Sequence, residues 1–165
     1  MASRKTTKKS TTARAKVRTA QRSTRRPKAA PKRAQPDGLT LRSVGPSFTV
    51  ADVEKSLGWY RDVMGFKVGE RWEDGGKLLG VELSAGRCMF MIGQDDWKKG
   101  RDRVKGEGFR LYCQTDQDVD RLAARIKSRG GSLVHEPRDE EWGARALTVD
   151  DPDGFRITIS TPVKS

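Results

Sequence analysis

The clearest pattern of apolar and polar positions lies near the end of the chain, in Trp142–Ile159, which reads WGARALTVDDPDGFRITI. Leu147 and Val149 alternate with polar residues, and so do Phe155, Ile157 and Ile159. A period of two argues for strands with one buried face. Between the two runs stands Asp150-Asp151-Pro152-Asp153-Gly154, where proline presets φ and glycine supplies a positive φ. The stretch predicts a β-hairpin.

The same signals place the other elements. Leu41–Val50 reads as a strand interrupted by Gly45-Pro46, an arrangement suited to a sheet edge or a bulge. Asp52 is placed to cap a helix reaching about Met64, with Val53, Leu57, Tyr60 and Met64 on one face and Gly65 as its stop. Strands are predicted at Phe66–Trp72, Leu78–Ser84 and Arg87–Ile92, followed by a polar loop, Gln94–Gly106. A second series opens with a strand at Phe109–Thr115. Its helix starts at Asp118, shows Val119, Leu122 and Ile126 on one face, and stops at Gly130-Gly131. Strands at Ser132–Glu136, Ala144–Val149 and Phe155–Ser160 complete it.

These series are one motif displaced by 66 residues. Asp52-Val53 matches Asp118-Val119, Gly65 matches Gly131, and Val68 matches Val134. Leu79, Val81 and Leu83 align with Arg145, Leu147 and Val149, while Met89 and Met91 align with Phe155 and Ile157. A helix cap, a helix stop and a strand phase recurring at one offset predict an internal repeat. The expected architecture is α+β: two βαβββ modules whose sheets together enclose a cleft, with each helix on the outer side. The segment Val50-Ala51-Asp52, Ser56, Trp59-Tyr60 and Met64-Gly65-Phe66, taken with the Asp151-Pro152-Asp153-Gly154 turn, resembles the glyoxalase/bleomycin-resistance/dioxygenase group, the vicinal oxygen chelate superfamily. The resemblance covers about residues 40–161. It also implies a homodimer, with sheets paired or halves swapped between chains.

Metal-dependent members of that group hold a divalent ion with His, Gln or Glu from four strands. By the resemblance, those positions fall on Gly45, Ile92, Thr158, and Leu111 or (if the strand slips by one) Arg110. None offers the carboxylate, imidazole or carbonyl side chain such ions need. No metal and no other cofactor are therefore expected. The lone histidine, His135, excludes a two-His-one-carboxylate iron site within one subunit. It reads as a surface residue at a strand end. Cys88 and Cys113 read as packing residues in strands, with no basic neighbour at a helix start to activate a thiolate. No catalytic residue is assigned.

If Leu79, Val81, Leu83, Phe155, Ile157 and Ile159 pack under the helices, the alternate residues face the cleft. That assigns Glu82, Phe90, Arg156 and Thr158 to its lining, with Ser47 and Thr49 beside them. In the slipped register, Arg110, Tyr112 and Gln114 join them, and this register buries Phe109, Leu111 and Cys113. Such a lining suits a small, partly anionic organic ligand; equally, Arg110, Arg156 and Glu82 could simply neutralise one another. A tryptophan before the last hairpin resembles the bleomycin-resistance-like branch, where it lies at the drug-binding groove. By that resemblance Trp142 is the candidate stacking residue, and the competing reading is a plug over the core.

Charge divides the chain. Residues 1–36 hold 13 Lys/Arg and no acid, leaving 21 basic against 22 acidic residues in the remainder. Rich in Thr, Ser, Ala and Pro, with Val17 its only β-branched apolar residue, this segment is expected to be disordered. Pro36-Asp37-Gly38 marks the boundary, giving a basic tail over 1–38 and a vicinal-oxygen-chelate-like domain over 39–163. Such a polycation suits non-specific binding to nucleic acid or another polyanion. No apolar run nears the ~20 residues that span a bilayer, so no membrane partner is expected. Two cysteines imply no disulfide framework and a cytoplasmic location. Three functions remain in competition: a metal-free binder that sequesters a small molecule, an enzyme with atypical or partner-supplied ligands such as Glu82, and an adaptor whose tail does the work.

Overall fold

The computed structural model describes residues 38–163; most of the predicted tail lies outside them. Within the unit that begins at Leu41, the order is β1 (Ser47–Val50), α1 (Val53–Gly58, continuing in a π-wound segment, Trp59–Met64), β2 (Lys67–Asp74), β3 (Lys77–Ala85) and β4 (Cys88–Gln94). The second half repeats it as β5 (Arg110–Gln114), α2 (Val119–Ser128), β6 (His135–Glu140), β7 (Ala144–Asp150) and β8 (Arg156–Pro162). Each half makes a four-stranded sheet, ordered β1-β4-β3-β2 and β5-β8-β7-β6. The first strand of each lies parallel to the last, and the other pairs are antiparallel. The predicted α+β fold of two βαβββ modules is what the chain forms.

Local chemistry explains the boundaries. The Asp52 carboxylate accepts the Lys55 N–H at 3.0 Å, and Asp118 accepts those of Asp120 and Arg121, so both helices start where a side chain satisfies free backbone donors. Gly65 follows the first helix at φ 84°, the left-handed conformation that glycine adopts without penalty. Strand β1 is shorter than predicted because Gly45-Pro46 precede it, although the Pro46 carbonyl still accepts the Met91 N–H. Strand β6 begins three residues later than predicted and contains Pro137. It is an edge strand with a register shift between His135 and Arg138, where a residue lacking N–H is tolerated. Leu78 is buried and Leu79 is 47% exposed, the reverse of the expectation, beside a register shift between Trp72 and Glu73.

One core joins the halves. Val50, Leu57, Tyr60, Val81, Leu83, Ile92, Ile126, Leu147, Val149 and Ile157 are all buried in one cluster. Gly131 lies where the helices meet, since a Cβ there would stand 2.6 Å from both Val63 and Ile126 methyls. The predicted hairpin turn proves to be the polar half of this joint. Asp153 accepts the Ala51 N–H at 2.8 Å and the Ser56 hydroxyl at 3.3 Å. Asp151, itself buried, accepts the Tyr60 hydroxyl at 2.8 Å and the N–H groups of Asp153 and Phe155. Burial, then the adjoining carboxylate, raises the Tyr60 hydroxyl well above the usual phenol range, and burial pushes Asp151 upward. Tyr60→Phe should therefore cost about 1–3 kcal/mol, because it removes a donor from a buried carboxylate. Urea unfolding measures this, and a loss below a few tenths of a kcal/mol would mean that water replaces the hydroxyl.

Candidate functional site

Residues paired across neighbouring strands share a face of the sheet, so the register decides which side chains the helices leave free. In the second sheet Leu111, Cys113, Leu147, Val149, Ile157 and Ile159 face α2. The opposite face carries three cross-strand rows. They run Arg110–Arg156–Asp150, then Tyr112–Thr158–Thr148–His135, then Gln114–Ser160–Ala146–Arg138. Ala146, Thr148, Thr158 and Ser160 in the middle are buried, while Tyr112 at one edge is 69% exposed and His135 at the other is also exposed. Small buried residues along the middle and large exposed ones along both edges make this face a groove.

The first sheet has the matching face. Its rows include Ser47–Met91–Glu82 and Thr49–Gly93–Gly80–Trp72. The Trp72 ring lies against Gly80, where an added Cβ would stand 3.1 Å from Cε3. Glu82 projects beside Gly69 on this sheet. Phe90 does not reach this face. It is 5% exposed, pairs with Leu83 and touches Phe48, Tyr60 and Phe66, so it belongs to the helix-side core. The repeat is not a uniform 66 residues: Asp150 and Arg156 pair across five residues, whereas their counterparts Ser84 and Met89 pair across four. One residue of slip turns a strand over, because side chains alternate faces. Hence Ile92, 1% exposed, is no counterpart of cleft-facing Thr158.

The four symmetry-related positions on the free faces are Ser47, Met91, Tyr112 and Thr158. Of the expected four only Thr158 is among them, since Gly45 precedes β1, Ile92 and Leu111 lie on the helix side, and Arg110 pairs with Arg156 one row away. Hydroxyls and a thioether do not make a site for a divalent ion, and the donor set does not fit the group's metal. Among the described residues, no three of His, Cys, Asp and Glu converge where they could hold one. Purified protein is expected to contain no stoichiometric divalent ion. Elemental analysis that found about one Zn, Ni, Mn or Fe per chain, bound through side chains, would overturn this.

The electrostatics differ from the sequence expectation in one respect. The acid facing Arg156 is Asp150, not Glu82: Nε and Nη2 donate to its two oxygens, both at 2.8 Å. Arg156 holds the Asp150 carboxyl below the usual carboxylate range, helped by Arg110 and His135. The register that frees Arg110, Tyr112 and Gln114 is the one present, but Phe109, expected to be buried by it, precedes the strand and is 39% exposed. Trp142 lies in the turn between β6 and β7 and is 55% exposed, so it does not plug the core. His135 and Trp72 are free-face residues that the sequence reading does not assign to the site; the strand glycines Gly80 and Gly93, cross-strand partners, are the available signal for the close approach of Trp72.

The loop from Asp95 to Gly108 runs beside both sheets. Asp95 is buried and accepts from Arg103 at 2.6 Å and from Lys105; Lys105 and Arg101 also sit over the Trp97 ring. The Lys105 ammonium is the largest cause of a depressed Asp95 carboxyl. Gly106, at φ 71°, crosses the hairpin turn so closely that a Cβ would lie 2.3 Å from the Gly154 carbonyl. On one side of this segment is a cavity of about 330 Å³ lined by Lys105, Glu107, Phe109, Arg110 and Arg156 among others. On the other, a cavity of about 270 Å³ reaches Thr49 and Phe155.

Residues 43–159 match the family model described as the Glyoxalase/Bleomycin resistance protein/Dioxygenase superfamily. The chain is 26% identical over 117 residues to a probable lactoylglutathione lyase of Synechocystis sp., covering 67% of this chain and 87% of that one. It is 24% identical over 121 residues to a lactoylglutathione lyase of Arabidopsis thaliana, covering 68% of this chain but spanning only 41% of the relative. The crystal structure of TnmS3, an antibiotic binding protein from Streptomyces sp. CB03234, superposes with a TM-score of 0.59 at 25% identity, over 76% of this chain and all of that one. With the duplicated βαβββ modules already in place, a match across 117 residues means that the chain belongs to the glyoxalase/bleomycin resistance protein/dioxygenase superfamily.

Proposed function

We propose that this protein binds a small organic molecule in its grooves and sequesters it, as the bleomycin-resistance-like branch does. The observation that carries the reading is the residue set Ser47, Met91, Tyr112 and Thr158 at the four symmetric positions, which offers surface and hydroxyls but no metal ligand. On the free face of the second sheet, Arg110, Tyr112, Gln114, Arg156 and Thr158 supply hydrogen-bonding and charged groups, on that of the first sheet Glu82 and Trp72 do the same, and Trp142 is an exposed aromatic in the β6–β7 turn. Phe90 drops out of the site. A similarly folded protein described as antibiotic-binding supports the reading by analogy. The proposal includes a homodimer whose partner completes the groove and a basic tail that associates with polyanions.

Fluorescence titration tests it. A planar aromatic ligand should quench tryptophan emission, and Trp142→Ala should weaken binding by roughly 1–3 kcal/mol. Unchanged affinity in Trp142→Ala, with loss in Trp72→Ala, would move stacking to the first sheet. No saturable binding of any planar compound would defeat the reading.

The second reading is an enzyme, favoured by the two relatives named lactoylglutathione lyases. It requires ligands from outside the four positions, such as Glu82 or His135 with a partner chain. Metal-dependent lyase activity that disappears in Glu82→Gln would establish it over sequestration.

A further inference from the structure

The three cations around the larger cavity are not equivalent. Lys105 has a 7% exposed side chain and is paired with Asp95. Arg156 is engaged through both Nε and Nη2 by Asp150. Arg110 is the register partner of Arg156 on the neighbouring strand, yet it forms no ion pair among the described residues. Like charges opposite one another on adjacent strands are destabilising. Here one carboxylate, Asp150, is hydrogen-bonded to one guanidinium and lies in the field of the other. Glu107 lines the same cavity without pairing with Arg110.

From this geometry we infer that the molecule bound by the groove carries a carboxylate or phosphate group, which Arg110 takes in its guanidinium fork at the cavity beside Arg156. The inference rests on the small-molecule reading above and specifies its ligand class. A planar guanidinium presents two parallel N–H donors that match either oxyanion. Arg156 is held in place by Asp150 and offsets that carboxylate's charge, so Asp150 does not repel an anion at Arg110. Phe109 provides an apolar wall beside the cavity, and Tyr112 stands two residues along the strand for the body of the ligand. Glu107 opposes the anion, so it tunes affinity downward.

The test uses the full chain, so that any contribution of the basic tail is common to all variants. Calorimetric titrations with phenyl phosphate, benzoate and the neutral benzyl alcohol are compared. Arg110→Gln should weaken both anions by at least about tenfold, as expected for loss of a charge-assisted pair, and weaken benzyl alcohol much less. Arg110→Lys, which keeps charge but loses the fork, should fall between. Glu107→Gln should tighten the anions. The ratio of phenyl phosphate to benzoate affinity identifies which oxyanion is preferred. Equal anion affinity in wild type and Arg110→Gln, with benzyl alcohol still bound, overturns the inference and leaves the binding reading intact. Failure of all three probes to bind overturns the inference, and the absence of any planar ligand in the fluorescence assay then removes the reading beneath it.

Discussion

Phe48→Ala should lower stability by about 3–5 kcal/mol, the range for truncating a buried aromatic ring. Phe48 is 2% exposed. Its ring stacks on Phe155 at 4.7 Å and 13°, meets Phe109 edge-on at 5.2 Å, and lies 5.0 Å from Phe90. Phe90 belongs to the first sheet, whereas Phe109 and Phe155 precede β5 and β8 of the second. The ring is thus the apolar counterpart of the Asp151–Tyr60 joint, and its loss removes packing between modules as well as within one. A domain of this size has roughly 5–15 kcal/mol of stability in total, so the variant should sit near the edge of folding. Urea denaturation followed by tryptophan emission gives the change. Two separate transitions in the variant would show that the modules had uncoupled. A cost below about 1.5 kcal/mol would mean that neighbouring side chains collapse into the space and that the joint is mainly polar.

Removing residues 1–36 should abolish non-specific DNA or RNA binding by the full chain. Those residues hold 13 cations and no acid, against a remainder with one more acid than base. Binding by such a segment proceeds by releasing counterions from the polyanion, with a log–log salt slope of about −0.9 for each duplex phosphate neutralised. Six or more contacts would weaken binding at least roughly a thousandfold between 50 and 200 mM salt. Fluorescence anisotropy with a labelled duplex, repeated across salt concentrations, measures both slope and affinity. Equal binding by the truncated protein would shift the contact to the folded unit, where Lys98, Lys99 and Arg101 are exposed on the β4–β5 loop. No binding even at low salt would leave the segment without a nucleic-acid role.

The two modules were legible because local physics marks them: carboxylate caps at Asp52 and Asp118, glycine stops at Gly65 and Gly130, and alternation along β7 and β8. Those signals need only a few neighbouring residues, and the structure uses each of them as read. The free-face positions of Arg156 and Thr158 were legible for the same reason, whereas for β5 the sequence admits two registers, of which the one that buries Leu111 and Cys113 and frees Arg110, Tyr112 and Gln114 is present.

What lay beyond the sequence depends on how strands meet. Counting by a fixed 66 residues put Phe90 on the free face, because nothing in β4 itself reveals that its hairpin is one residue shorter than the β7–β8 hairpin. All of Met89, Phe90, Met91 and Ile92 are apolar, so the period-two signal is absent where it was needed. The partner of Arg156 is Asp150, which is close in sequence but carries only a turn signal there. Asp151 and Asp153 likewise appeared as turn formers, whereas they bind Tyr60, Ser56 and Ala51 about a hundred residues away. By itself the sequence determined the elements, the repeat and the family, since these follow from local periodicity and capping. The tertiary structure decided the faces, the ion pairs and the joint, since each depends on contacts between residues that no local pattern brings together.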